Sequence, residues 1–243
     1  MQDVQGAPDE LHSTAHAWQM HLSDLRAAGV CDRWLSRLPA DERARYAQFQ
    51  TEAARERYLA ARVLCRATLS RYTGVDPSQW RFSQGPHGKP TLAHPDVYHS
   101  LRFNLSSAGD WVICIVTRAG EVGVDVEDIS RPVDASLVAR HFLSRRQAAR
   151  LASLPPRERN QRFFEQWVLK EAYVKATGEG LVATPERFGV AQAEDGSPVP
   201  IRGCQFSLHR PDANSVAAGA VLPRRRGNAI SIQWIVVADA LED

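Results

Sequence analysis

The sequence predicts an α+β protein built from two similar halves, and three observations lead there. Short segments of alternating or β-branched apolar residues recur, among them WVICIV at 111–116 and VGVDVE at 122–127, the period-two signature of strands. Two long stretches carry apolar residues at helical spacing instead. One runs from Glu52 to Tyr72; the other is entered near Pro155–Pro156 and closed by Gly178, a residue suited to a left-handed C-terminal cap. The chain also repeats itself weakly. Tyr72-Thr73-Gly74 leads into Asp76-Pro77-Ser78-Gln79-Trp80-Arg81-Phe82, and half a chain later Ala176-Thr177-Gly178 leads into Thr184-Pro185-Glu186-Arg187-Phe188. A helix that ends twice in the same way, each time ahead of a hairpin, implies a duplicated α+β unit. The expected division is a flexible tail at 1–14, a first half at 15–128 and a second at 129–243, with a ligand cleft between the halves.

In chain order, residues 1 to 13 are polar and read as a loose tail, and Trp18–Leu25 reads as a strand. Asp32–Leu38 and Asp41–Phe49 read as short helices. The helix from Glu52 sets Tyr58, Leu59, Val63, Leu64 and Leu69 against Arg55, Arg57, Arg62, Arg66 and Arg71, a pattern that usually marks a solvated basic face. Trp80–Ser83 is a short strand, followed by the Gly/Pro-rich stretch 84–90. A loop of that kind with a lysine can wrap a phosphate or a base through backbone N–H groups. Trp111–Val116 and Glu121–Glu127 predict a hairpin across Arg118–Gly120. Asp134–Phe142 is a helix, and Ser144 opens another with a Ser-x-x-Gln capping box. The arginines at 140, 145, 146 and 150 make this segment basic. Phe188–Gln192 is a strand, and Cys204–Leu208, Val216–Leu222 and Ile230–Val237 predict an antiparallel meander.

With 243 residues, 44% hydrophobic and 24% charged, the chain is long enough for a substantial core. A net charge of +2 supplies no basic field for nucleic acid. The four cysteines lack metal spacing and read as buried thiols in a reducing compartment. No run spans a bilayer and no leader is legible, so a cytoplasmic protein is expected, with no membrane and no nucleic-acid partner.

Chemistry concentrates in two places. Asp125 and Glu127 alternate with Val124 and Val126, so both carboxylates share one face of a strand. Adjacent carboxylates repel, and a divalent cation with hard oxygen ligands relieves the repulsion. Trp167, Glu171 and Lys175 are spaced by four in the second long helix and share a face. Glu171 can therefore supply a third carboxylate and Lys175 a positive charge.

The segment GVDVE followed by WVLKEAYVK resembles the Sfp-type phosphopantetheinyl transferases, whose pattern is a (V/I)G(I/V)D(I/V)E strand and, some tens of residues later, a W-x-x-K-E-(A/S)-x-x-K helix. The two motifs in that order make the resemblance specific, and it can be followed from about Leu38 to the C-terminus. It implies a pseudo-twofold pair of subdomains with the active site in the cleft between them. It further implies transfer of 4′-phosphopantetheine from coenzyme A to a serine of an acyl or peptidyl carrier protein, by a monomer. Mg²⁺ would be held by Asp125, Glu127 and Glu171, and Lys175 and Lys89 would add positive charge near the phosphates. Glu171 and a water held by Glu127 at the metal are both candidates for the base; Lys175 is a weaker one.

By the same resemblance, coenzyme A would meet Gly88, Lys89 and Pro90 of the GKP loop. It would also meet Asn104, Ser106 and Ser107 of FNLSSAG, together with Asp125, Lys175 and the basic residues Arg45 and Arg57. Two departures stand out. Ser107 occupies the place of a histidine that touches the pyrophosphate in relatives, with His99 nearby in sequence as a substitute. Glu42 stands where some relatives carry a lysine. Loss of the histidine gives the alternative reading, a non-catalytic relative that binds coenzyme A or a carrier protein without transferring.

Overall fold

The computed structural model describes residues 10–26, 30–85, 88–95, 98, 100–131, 133–180, 198–199, 201, 203–225 and 227–237. His99 and the strand expected at 188–192, with the second copy of the repeat's tail, lie outside these residues.

The elements in order are β1 (Thr14–His21), α1 (Leu22–Leu25), α2 (Val30–Arg37), α3 (Ala40–Gln48), α4 (Glu52–Thr73), β2 (Arg81–Gln84), β3 (Pro90–His94), β4 (Arg102–Ala108), β5 (Trp111–Thr117), β6 (Gly120–Asp128), α5 (Ala135–Phe142), α6 (Arg145–Ala152), α7 (Pro156–Thr177), β7 (Gln205–His209), β8 (Ser215–Pro223) and β9 (Ser231–Val236). They build a four-layer molecule. One sheet has the order β4-β5-β1-β9 and the other β6-β8-β7, with β2-β3 a separate hairpin. Valines, isoleucines and alanines of the two sheets face each other, among them Ala17, Ile113, Ile115, Val122, Val124 and Val221. On the outer faces α4 covers the first sheet through Leu59, Val63, Leu64 and Leu69, and α7 covers the second through Phe164, Val168, Leu169 and Ala172. Strands buried on both faces read as nearly continuous apolar runs, which is why β5 and β8 do.

The duplication is visible in α4 and α7. Each has 22 residues and ends in Thr-Gly, with Gly74 at φ 69° and Gly178 at φ 72°. Glycine takes the left-handed cap without a Cβ penalty. The capping box predicted at Ser144 is present, with Gln147 answering it.

Several local expectations are corrected. β1 begins at Thr14 and stops at His21, because the His21 and Asp24 side chains form a reciprocal cap that starts α1. Glu10–His12 are not loose: they make a 3₁₀ turn that buries Leu11. The hairpin expected between 111–116 and 121–127 does not form, since β5 pairs with β1 and β4 while β6 pairs with β8. The meander expected at the C-terminus is broken in the same way. β7 and β8 pair antiparallel, but β9 crosses to lie parallel to β1. Strand pairing therefore crosses the division expected at 128/129. Burial on both faces leaves no periodicity by which a strand's partner can be read.

Among the described residues no helix is long and apolar enough to cross a membrane. All four cysteines are free; Cys65, Cys114 and Cys204 are buried, Cys31 partly so.

Candidate active site

The site forms where the two sheets meet edge to edge. β4 and β6 share no backbone ladder; side chains take its place. Asn104 Oδ1 accepts the Val124 N–H at 3.1 Å and Ser106 Oγ accepts the Val126 N–H at 3.4 Å. Edge N–H groups of β6 are thus paired without merging the sheets.

On its other face β6 lies directly beneath α7. A Cβ on Gly123 would fall 2.1 Å from the Ala172 carbonyl oxygen and 2.4 Å from the Ala176 nitrogen, so only glycine admits the helix. From Gly123 to Glu127 the strand advances about 13 Å, and from Ala176 back to Trp167 the helix advances about 13.5 Å. The two functional triplets therefore run side by side. Asp125 meets Lys175, whose Nζ lies 2.7 Å from Oδ1, and Glu127 meets Trp167, whose Nε1 donates to Oε1 at 3.0 Å.

Asp125 is 6% exposed. Its Oδ1 accepts from both Lys175 and the Ser106 hydroxyl, the latter at 2.9 Å, while Lys175 also donates to Ser106 Oγ at 3.0 Å. Its Oδ2 is buried with no hydrogen-bond partner, and so is Glu171 Oε1. Burial raises the Asp125 carboxyl above its ordinary range, against the pull of Lys175 and Ser106. Burial, then the Asp125 charge, raises Glu171. The same two causes raise Glu127, opposed by Arg131 and Trp167. Three carboxyls held against their own ionisation, two with an unpartnered buried oxygen, make a donor set suited to a hard cation. Among the described residues no three His, Cys, Asp or Glu side chains already converge as a formed metal cluster.

Beside these acids is a cavity of about 270 Å³ lined by Gly88, Lys89, Pro90, Asn104, Leu105, Val174, Lys175, Gly178 and Gly180. Both halves of the chain contribute to it. Lys89 reaches across from the hairpin loop, donating to the Ala176 carbonyl at 2.9 Å and to Glu121 Oε2 at 3.2 Å. Burial lowers its pKa, with Glu121 opposing. Arg102 holds the other Glu121 oxygen at 2.6 Å.

Most of the expected residues thus gather at one seam: Gly88, Lys89, Pro90, Asn104, Ser106, Asp125, Glu127, Glu171 and Lys175. Ser107 is on the same strand but exposed, and strand alternation turns it away from Asp125. Arg45 and Arg57 are not among the residues lining the cavity. Arg45 sits on α3 with its guanidinium 6.0 Å from the Tyr58 ring. Glu42 pairs with Arg66 at 2.9 Å and Arg62 at 3.6 Å, so it neutralises two arginines of α4.

Sequence reasoning did not assign roles to Glu121, Arg102 and Arg131. None of the three belongs to a motif that the sequence singled out. Trp167 was legible in the motif, but its bond to Glu127 was not.

Comparison with known proteins supplies the remaining findings. A family model described as the 4′-phosphopantetheinyl transferase superfamily matches residues 121–221. A second, described as 4′-phosphopantetheinyl transferase, N-terminal, matches residues 17–119. The 4′-phosphopantetheinyl transferase HetI of Nostoc sp. is 32% identical over 219 residues, covering 87% of this chain and 89% of that protein. The 4′-phosphopantetheinyl transferase Sfp of Bacillus subtilis is 30% identical over 184 residues, 76% of each chain. Among solved structures, Thermotoga maritima holo-[acyl-carrier-protein] synthase matches 44% of this chain and 65% of its own, at 23% identity and a TM-score of 0.35.

Proposed function

The chain belongs to the 4′-phosphopantetheinyl transferase family, and we propose that it moves this group from coenzyme A to a serine of an acyl or peptidyl carrier protein, with Mg²⁺ held by Asp125, Glu127 and Glu171. The serine oxygen attacks the β-phosphorus, the bond from that phosphorus to the bridging oxygen breaks, and 3′,5′-ADP leaves with the electron pair. The serine proton passes to a base.

The observation that carries this reading is the pair of buried, unpartnered oxygens, Asp125 Oδ2 and Glu171 Oε1. Orphaned carboxylate oxygens cost stability, and a hard cation is the ligand their chemistry fits. When bound, Mg²⁺ neutralises charge that develops on the diphosphate. The chain's own groups do the rest. Lys89 and Lys175 present two ammonium groups to the 270 Å³ cavity, suited to the coenzyme's phosphates. Asn104 and the Gly88–Pro90 loop contribute polar and backbone wall to the same space. Ser106 and Lys175 hold Asp125 Oδ1, which leaves Oδ2 to serve as ligand. Glu171, its carboxyl raised by burial and then by the Asp125 charge, is a stronger base than an ordinary carboxylate and is one route for the serine proton; a water held by Glu127 is the other.

The test is transfer from labelled coenzyme A to a panel of apo carrier proteins, with and without Mg²⁺. Asp125→Ala is expected to abolish transfer in a folded protein. Wild-type turnover in Asp125→Ala at saturating Mg²⁺ rules the site out. Coenzyme A binding without transfer to any carrier rules out the reaction.

A further inference from the structure

Glu127 differs from Asp125 and Glu171 in having both oxygens engaged. Trp167 Nε1 holds Oε1 at 3.0 Å, and Arg131 Nη2 holds Oε2 at 3.2 Å. The contact with Arg131 is built by the chain just after β6. Asp128 Oδ1 accepts from the Ser130 N–H at 2.9 Å and from its hydroxyl at 2.6 Å, a local turn that folds Arg131 back over Glu127. The two partners are not equivalent. Trp167 is packed edge-on against Phe142 and tilted against Phe163, so its N–H is fixed. The Arg131 side chain is 58% exposed and lines an open groove of about 550 Å³ with Ser130, Asp134, Arg159 and Asn160. Its guanidinium also lies 6.0 Å from the Phe164 ring, a resting place it keeps if the ion pair opens.

We propose that Arg131 is the resident counter-cation of Glu127, a positioning residue that must release Oε2 before this carboxylate can join a divalent-cation site. The arginine keeps Glu127 neutralised while the site is empty, and it yields to a competitor of higher charge because an exposed ion pair holds only weakly. The release also gives the groove a free guanidinium, a fork suited to a carboxylate or phosphate of an incoming partner. By linkage, whatever engages Arg131 in the groove favours the cation at Glu127, and the cation favours that engagement. This rests on the metal reading of the three carboxylates.

The experiment titrates Mn²⁺, an EPR-visible substitute for Mg²⁺, into the full chain with no other ligand and follows the signal of the free ion. A wild-type site that Glu171→Gln weakens at least tenfold establishes the metal reading independently. Arg131→Ala is then expected to bind Mn²⁺ about three- to five-fold more tightly than wild type, the size of an exposed ion pair's competition. Arg131→Lys, which keeps the charge, should stay near wild type. In a Glu127→Gln background, Arg131→Ala should change affinity by less than about 1.5-fold, because the competition acts through Glu127. Equal or weaker binding in Arg131→Ala, or the same tightening without Glu127, overturns the proposal and leaves the metal reading intact. If wild type has no Glu171-dependent Mn²⁺ site, both fall.

Discussion

Glu171 is held against its own charge: it is half-buried, near Asp125 and Glu127, with one oxygen unpartnered. Its folded pKa is raised, so the native state binds more protons than the unfolded chain just above the ordinary carboxylate range. The stability this group contributes is present below that range and is lost as pH rises through the folded value. Glu171→Gln removes the penalty. The variant should melt higher than wild type at pH 7 by roughly 1 kcal/mol, with the gap shrinking as pH falls toward about 4.5. It should also lose at least a hundredfold in transfer rate. Melting curves at several pH values check the first expectation; a gap that grows on acidification contradicts it. Ser107 gives a second test at this scale. It is exposed, and the resemblance to the Sfp-type family implies a pyrophosphate-contacting histidine at its place. Ser107→His should lower KM for coenzyme A at pH 6, by charge-assisted hydrogen bonding, with the gain fading as pH rises through about 6.5. An unchanged KM at pH 6 means another group already fills the role.

At the scale of elements, the site depends on how closely α7 rests on β6. Gly123 is the contact: a Cβ there would overlap the Ala172 carbonyl and the Ala176 nitrogen, which are backbone atoms and cannot rotate aside. Gly123→Ala should therefore push the helix outward and cost about 3 kcal/mol. It should separate Asp125 from Lys175 along with it, so that transfer falls more than the loss of folded protein explains. Denaturant unfolding beside activity per folded molecule measures both; a variant within 0.5 kcal/mol of wild type, on the order of a neutral surface change, would show that the layers are not in contact. Which residues these two elements turn to one face was legible from local pattern. Asp125 and Glu127 alternate on a strand, Trp167, Glu171 and Lys175 recur by four on a helix, and each periodicity survives folding because the backbone sets it. The partners of Glu127 and Lys89 were not legible: Arg131 reaches Glu127 only through the irregular turn after β6, and Glu121, though it shares the alternation of Asp125 and Glu127, meets Lys89 and Arg102 only when separate segments dock.

On the whole-molecule scale, α6 carries the basic segment. Arg145, Arg146 and Arg150 are exposed there, and their segment follows β6 after α5. A solvated helix face accounts for them equally well. Reversing two of them separates the readings. If the segment steers an acidic carrier protein, Arg145→Glu with Arg146→Glu should reduce kcat/KM for the carrier about tenfold at low salt and flatten its salt dependence. KM for coenzyme A should not change. Identical salt profiles for wild type and the double variant would remove α6 from the docking surface.

The sequence alone determined that this chain has two long helices with Thr-Gly ends, and which residues of GVDVED and WVLKEAYVK share faces. These are short-range properties, set by helix and strand periods and by the φ that glycine allows. Only the tertiary structure decided that β6 leaves β5 for β8, that β9 returns to β1, and that Asn104 and Ser106 stand in for a missing ladder between β4 and β6. The physical reason is that strands buried on both faces carry no mark of their partners. Pairing among them is settled by packing the two sheets against each other, with α4 and α7 on the outside, and that packing draws on residues throughout the chain at once.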